Sequence, residues 1–165
     1  DKANEYAYAH DMFGFQVSSP AYSLAVQDDD PWGGGCVDLS GEAHGRDRAW
    51  YQEEGIEVFA YASLAHGFLS GKFRADEAGR ACKVLDDFAV KGYCSDANFM
   101  RLKRAESLAR EKRVTIPQLA LAWVLNQPLL PMAVCSASTP KRMISNLKAL
   151  DVKLTAEEIR WLSEG

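Results

Sequence analysis

The stretch Val58-Phe-Ala-Tyr-Ala-Ser-Leu-Ala-His-Gly-Phe-Leu-Ser-Gly-Lys72 restricts the possible folds more than any other part of the chain. Val58 to Ala62 is a short apolar run, the pattern of a strand buried on both faces in a parallel sheet. Ser63 to Lys72 is a loop of small residues with two glycines and a lysine. A buried parallel strand that opens into such a loop is where α/β proteins place ligands. Gly67 and Gly71 allow close backbone approach, Lys72 brings a cation, and Tyr61 offers a flat face to a ring. The same residues also suit one more core strand and its connection, so this stretch alone leaves both readings open.

The flanking sequence sets the context of that strand. Asp1 to His10 is alanine-rich and reads as a helix that Asp11 to Gly14 ends. Phe15 to Ser19 reads as a short strand, with Pro20 just past its end. Ala21 to Gln27 is irregular, and Asp28-Asp-Asp-Pro-Trp-Gly-Gly-Gly35 is a loop by composition. Gly45 to Glu54 is expected to be a helix with Trp50 on its inner side, stopped by Gly55. Phe73 to Tyr93 keeps neither period and reads as a long surface loop that carries substrate contacts. Ser95 or Asp96 caps a helix whose Leu102, Ala105, Leu108 and Ala109 fit a helical stripe, stopping near Arg113. Thr115-Ile-Pro-Gln118 is a capping box opening a buried helix from Pro117 to Asn126. Met132 to Cys135 is expected to be a third buried strand, and Pro140 starts a helix to about Leu150. Thr155-Ala-Glu-Glu158 is a second capping box, for a final helix to Ser163.

Strands alternating with helices mean a parallel sheet with crossover helices. Three such strands leave both sheet edges unpaired, and a closed (β/α)8 barrel takes about 250 residues. The 165 residues therefore read as the last part of something larger, residues 1–165 forming the C-terminal part of a single domain. Asp1 in place of a methionine, inside a helix, agrees with a chain cut at its front.

Charge removes some partner classes. A net charge of -4 and a pI near 5.4 argue against nucleic acid and anionic membranes as partners. No apolar run approaches the roughly 20 residues of a membrane span, and no signal peptide is recognisable. The four cysteines, Cys36, Cys82, Cys94 and Cys135, show no C-x-x-C spacing and read as reduced thiols of a cytoplasmic protein. The three consecutive acids of residues 28–30 read as a solvated loop rather than a metal site.

The second chemical feature is the start of the Pro140 helix. A helix N-terminus has free N–H groups and the positive end of the dipole. Ser136, Ser138 and Thr139 place hydroxyls there, Arg142 adds a charged fork, and Asn146 lies one turn further on. This pattern suits a nucleotide cradle, and it equally suits an ordinary Ser/Thr cap with a surface arginine. His10, His44 and His66 have no carboxylate or cysteine at a useful local spacing. Gly33-Gly34-Gly35 lacks the following G-K-[ST] of a phosphate loop.

Three segments together carry a resemblance. Phe59 to Lys72 resembles the seventh strand and following loop of the aldo-keto reductases. Thr115-Ile-Pro-Gln-Leu-Ala-Leu-Ala-Trp-Val-Leu-Asn-Gln127 resembles the family's last crossover helix, and Ser138-Thr-Pro-Lys-Arg-Met-Ile-Ser-Asn-Leu-Lys-Ala-Leu150 its adenosine-binding segment. The similarity runs in the family's order. It implies a partial (β/α)8 TIM barrel, with the last three strands and their crossover helices, and it implies NADP(H)-dependent reduction of a small-molecule carbonyl.

By the resemblance, Tyr61 stacks on the nicotinamide. Ala62, Ser63, Leu64, Ala65 and His66 wrap the pyrophosphate with help from Lys72. Ser136, Ser138, Arg142 and Asn146 meet the adenosine end, and an arginine at the 2′-phosphate favours NADP over NAD. Ser19 stands where many members carry a glutamine that holds the nicotinamide amide, and Ser138 where many carry arginine. The family's catalytic tyrosine, lysine, aspartate and histidine come from the first half of the barrel, which no part of this chain matches, so no catalytic residue is assigned. The resemblance implies an oxidoreductase as the complete protein, with this chain alone inactive. A non-catalytic regulatory subunit that keeps the nucleotide-binding barrel is the alternative.

Overall fold

The computed structural model describes residues 2–30 and 33–165. Asp1 of the expected leading helix, and Pro31 and Trp32 of the expected acidic loop, lie outside the described residues. Three parallel strands, β1 (Val17–Ser18), β2 (Glu57–Ala60) and β3 (Met132–Ala133), lie in the order β1-β2-β3. Val17 faces Glu57 and Phe59 faces Met132 in the ladder. Parallel neighbours cannot be joined by a tight turn, so the chain crosses over through helices. Helix α1 (Lys2–Ala9) precedes β1, and α2 (Gly45–Glu53) returns the chain to β2. Helices α3 (Ala78–Val84), α4 (Asp87–Tyr93), α5 (Asp96–Glu111) and α6 (Ile116–Leu125) connect β2 to β3. Helices α7 (Pro140–Leu147) and α8 (Ala156–Glu164) follow β3.

The core is built around α6. Both expected capping boxes form, Thr115 with Gln118 and Thr155 with Glu158. Every residue of α6 from Leu119 to Val124 is buried, so this helix is packed on all sides. The stripe Leu102, Ala105, Leu108 and Ala109 of α5 is buried as its spacing requires. Trp123 packs edge-on to Tyr22 with ring centroids 5.5 Å apart. Its indole N–H donates to the Ile159 carbonyl and Ser163 Oγ, which ties α8 down. Asn98, fully buried, takes the Val26 N–H and donates to the carbonyls of Val26 and Tyr93. The irregular segment 21–25 is thereby held as core without being a strand.

Several expectations are corrected. Residues 73–93 are not a featureless surface loop. They contain α3 and α4, and Phe73, Ala81, Ala89 and Tyr93 are buried. Each helix has only seven residues, too few for a period to show. In α2 the inner residue is Tyr51, which bonds Ser18 Oγ at 2.8 Å, while Trp50 is half-buried beside it. β2 buries Val58 and Ala60 but leaves Phe59 partly exposed and Tyr61 exposed, so only one face is covered. β3 is shorter than expected and not buried: Met132 is 42% exposed and Val134 45%. β1 spans only Val17–Ser18 of the expected 15–19 run. α7 ends at Leu147, and a tighter helical turn carries the chain from Lys148 to Asp151.

Candidate functional site

The loop after β2 leaves the strand through an unusual backbone. Ala62, Ala65 and His66 have φ of 53°, 50° and 49°, followed by Gly67 at 97°. A left-handed conformation is costly for residues with a Cβ, so the surroundings must hold it. The hydroxyl of buried Ser63 donates to the Ala60 carbonyl at 2.7 Å, and the Ala65 N–H donates to the Ala62 carbonyl at 2.6 Å. Ala65 itself is fully buried. Tyr61 is anchored by its N–H to the Pro20 carbonyl and by its carbonyl to the Tyr22 N–H. Its hydroxyl meets Nε2 of His66 at 3.1 Å. The His66 ring also packs against Phe88 and Tyr93. Burial holds the His66 imidazole below its usual pKa, against a smaller opposing effect of Asp86.

The second wall comes from the segment after β3. The Val134 N–H donates to the Ala60 carbonyl at 3.0 Å, which sets residues 135–138 beside the first loop. Thr139 caps α7 by accepting the Arg142 N–H at 3.2 Å. Arg142 Nη1 donates to Ser138 Oγ at 2.8 Å, and Asn146 reaches Cys135 Sγ at 3.9 Å. No residue of α7 is buried. The helix is held instead by Gln118, whose side-chain amide donates to the Ser145 carbonyl and hydroxyl at 2.9 and 3.1 Å.

The two walls enclose a cleft of about 610 Å³. Tyr61, Ala62, Ser63, Leu64, His66, Lys72, Ser136, Ser138, Arg142 and Asn146 all line it. Two sequence candidates do not. Ala65 lies beneath the loop, and Ser19 is exposed with its hydroxyl donating to the Phe59 carbonyl at 2.9 Å. The cleft also includes Ser70, Pro117, Cys135 and Ser145, which the sequence reading missed. Cys135 and Ser145 each adjoin a residue it did select, and that adjacency was the available signal. Ser70 Oγ is buried and has no hydrogen-bond partner among the described residues. With Lys72 and Arg142 as cations among several hydroxyls, the donor set suits an anionic ligand with several oxygens. Among the described residues no group of His, Cys, Asp or Glu is arranged to hold a metal ion.

A sequence profile of the aldo/keto reductase family matches residues 48–164. The chain belongs to this family. The aldo-keto reductase of Gibberella moniliformis is 34% identical over 119 residues, covering 66% of this chain and 34% of that protein. The probable aldo-keto reductase 1 of Glycine max is 30% identical over 113 residues, 68% of this chain and 33% of its own length. A probable voltage-gated potassium channel subunit beta of Arabidopsis thaliana is 28% identical over 109 residues, 62% and 32% respectively. The chain thus matches about one third of the length of these curated relatives. Aldo/keto reductases are (β/α)8 barrels, and the parallel sheet with outer helices seen here is consistent with part of one. No helix among the described residues is long and apolar enough to cross a membrane.

Proposed function

We propose that the cleft binds NADP(H), and that the complete protein is an oxidoreductase reducing an aldehyde or ketone. The observation that carries this is the meeting of two distant segments. The loop after β2 and the start of α7 face each other across one cleft, with Lys72 on one wall and Arg142 on the other. The residues present fit the dinucleotide. Two cations and the α7 N-terminus match its phosphates, and Tyr61, 36% exposed, leaves an aromatic surface for its ring. Family membership supports a nicotinamide cofactor.

When bound, the nicotinamide supplies the hydride. The chain's own residues do the holding. Tyr61, fixed by His66, supports the nicotinamide, the left-handed turn from Ala62 to Gly67 lies along the pyrophosphate, and Arg142 and Asn146 take the adenosine end. On this reading the proton donor comes from the part of the relatives that this chain does not match. Titration with NADPH followed by nicotinamide fluorescence tests the binding. Saturable enhancement is expected, and its loss in a Lys72→Ala/Arg142→Ala double variant. A flat titration of the unaltered chain overturns the proposal.

The Arabidopsis relative, named as a channel subunit, favours a second reading: a regulatory subunit that binds the nucleotide without turnover. Carbonyl-dependent NADPH oxidation by the complete protein supports the enzyme, and binding without oxidation supports the subunit.

A further inference from the structure

A larger cavity lies away from the cofactor cleft, between α2, α5, the end of α6 and α8. Its volume is about 1010 Å³, and Arg48, Arg101, Arg104 and Arg160 line it, with Tyr22 and Trp123 in its wall. None of these guanidinium groups has a carboxylate within 4 Å among the described residues, whereas every arginine and lysine pair that does form lies elsewhere. Their bonds go chiefly to backbone. Arg48 donates to the Leu39 and Gly41 carbonyls. Arg101 donates to the Ser163 carbonyl and to Asn98 Oδ1, and Arg104 to the Leu162 and Ser163 carbonyls.

The end carbonyls of α8 account for part of that charge, as a helix C-terminus attracts cations. They leave Nη2 of Arg101, Nη1 of Arg104 and both Nε and Nη2 of Arg48 without an acceptor among the described residues. Burial, and after it the neighbouring Arg101 charge, holds the Arg104 group below its usual pKa. Glu42 and Glu164 are the carboxylates of the lining. In a chain of net charge -4, four guanidinium groups around one hollow form a local excess of the opposite sign. Guanidinium forks recognise carboxylate and phosphate oxygens in pairs of parallel bonds.

We propose that this cavity binds a small polyvalent oxyanion, a polycarboxylate or a phosphate compound, independently of the cofactor cleft. The free guanidinium nitrogens of Arg48, Arg101 and Arg104 hold its oxygens, and Arg160 adds charge at the exposed side. The Trp123 indole N–H reports on the wall. Citrate and inorganic pyrophosphate serve as the two probes, titrated into the isotope-labelled chain at constant ionic strength while the Trp123 indole resonance is followed. A saturable shift is expected with at least one probe, and which one binds separates the two chemistries. Arg160→Gln removes an exposed side chain that has no hydrogen bond or ion pair among the described residues, so the fold should be kept, and it should weaken binding about threefold to tenfold. Arg48→Gln should weaken it about tenfold or more. Arg142→Gln, in the other cleft, should leave it unchanged. No saturable shift up to about 10 mM of either probe, or affinity unaltered by both cavity variants, overturns the proposal. Loss of the shift in Arg142→Gln would also overturn it, by placing the anion in the cofactor cleft.

Discussion

The Tyr61 hydroxyl and His66 Nε2 lie 3.1 Å apart, across the left-handed turn that ends β2. The bond links the exposed Tyr61 ring with a left-handed residue of the loop. Burial lowers the His66 pKa, so the neutral imidazole is the folded form at neutral pH. The unfolded chain then binds more protons than the folded one between the two values. Stability is full above the ordinary imidazole range and is lost as pH falls through it. Urea denaturation between about pH 7.5 and about pH 5.5 should show this decline. In His66→Gln the decline should be shallower, and an equal slope in both proteins would assign it to another group.

Cofactor choice should depend on Arg142. A hydrogen bond to a charged group contributes about 1.5 to 3 kcal/mol, one to two decades of affinity. With Ser138 already a partner of Arg142, Arg142→Ala should weaken NADPH by about that factor and leave NADH nearly unchanged. Asn146→Ala should weaken both alike. Fluorescence titration of each variant with each cofactor decides it, and equal losses for Arg142→Ala would move the 2′-phosphate elsewhere.

Gln118 should matter to stability and to the site together. Its side chain receives the Thr115 N–H and donates twice to Ser145. Gln118→Ala should cost about 2 to 4 kcal/mol by urea denaturation and weaken NADPH as α7 loosens. Thr155→Ala, which removes only the α8 cap, should cost about 1 kcal/mol and leave cofactor affinity alone.

Asn98 should be the most sensitive polar position of the core. Replacing it with Ala strands the Val26 N–H and the carbonyls of Val26 and Tyr93 in a buried setting. A loss of about 3 kcal/mol or more is expected in the denaturation midpoint. A loss below about 1 kcal/mol would show that water replaces the network.

The isolated chain should self-associate. Both β1 and β3 are sheet edges, and Phe15, Val17, Met132 and Val134 are exposed along them. On α7 and the turn after it, Met143, Ile144, Leu147 and Leu150 form an exposed apolar stripe. Light scattering at increasing concentration should show growing mass. A monodisperse monomer with a sharp, high-temperature melt would contradict this.

The readable parts of the fold were those with strong local chemistry. Thr115 and Thr155 announce their helices because a capping box is a contact between residues three apart. The α5 stripe is readable because it repeats over 16 residues. Helices α3 and α4 were not, since seven residues give two turns and the packing of α4 depends on a partner on another element, His66 against Phe88 and Tyr93. From the residues themselves the site was readable only as two loops, and the resemblance alone joined them on one cofactor, because the Val134–Ala60 bond that sets them side by side is tertiary. Tyr51 displaced Trp50 as the inner residue of α2 for the same reason: its partner, Ser18, lies on another element.

The two walls of the cleft differ in how they are fastened. The loop after β2 rests on buried Ala65 and on its own internal bonds, while α7 has no buried residue and hangs on Gln118. One jaw is therefore rigid and the other compliant. A dinucleotide bound as proposed would span both and act as an adhesive, and its effect on amide exchange should be lopsided. Protection should rise along residues 140–147, where no residue is buried, and change little in the turn, whose own bonds already hold it.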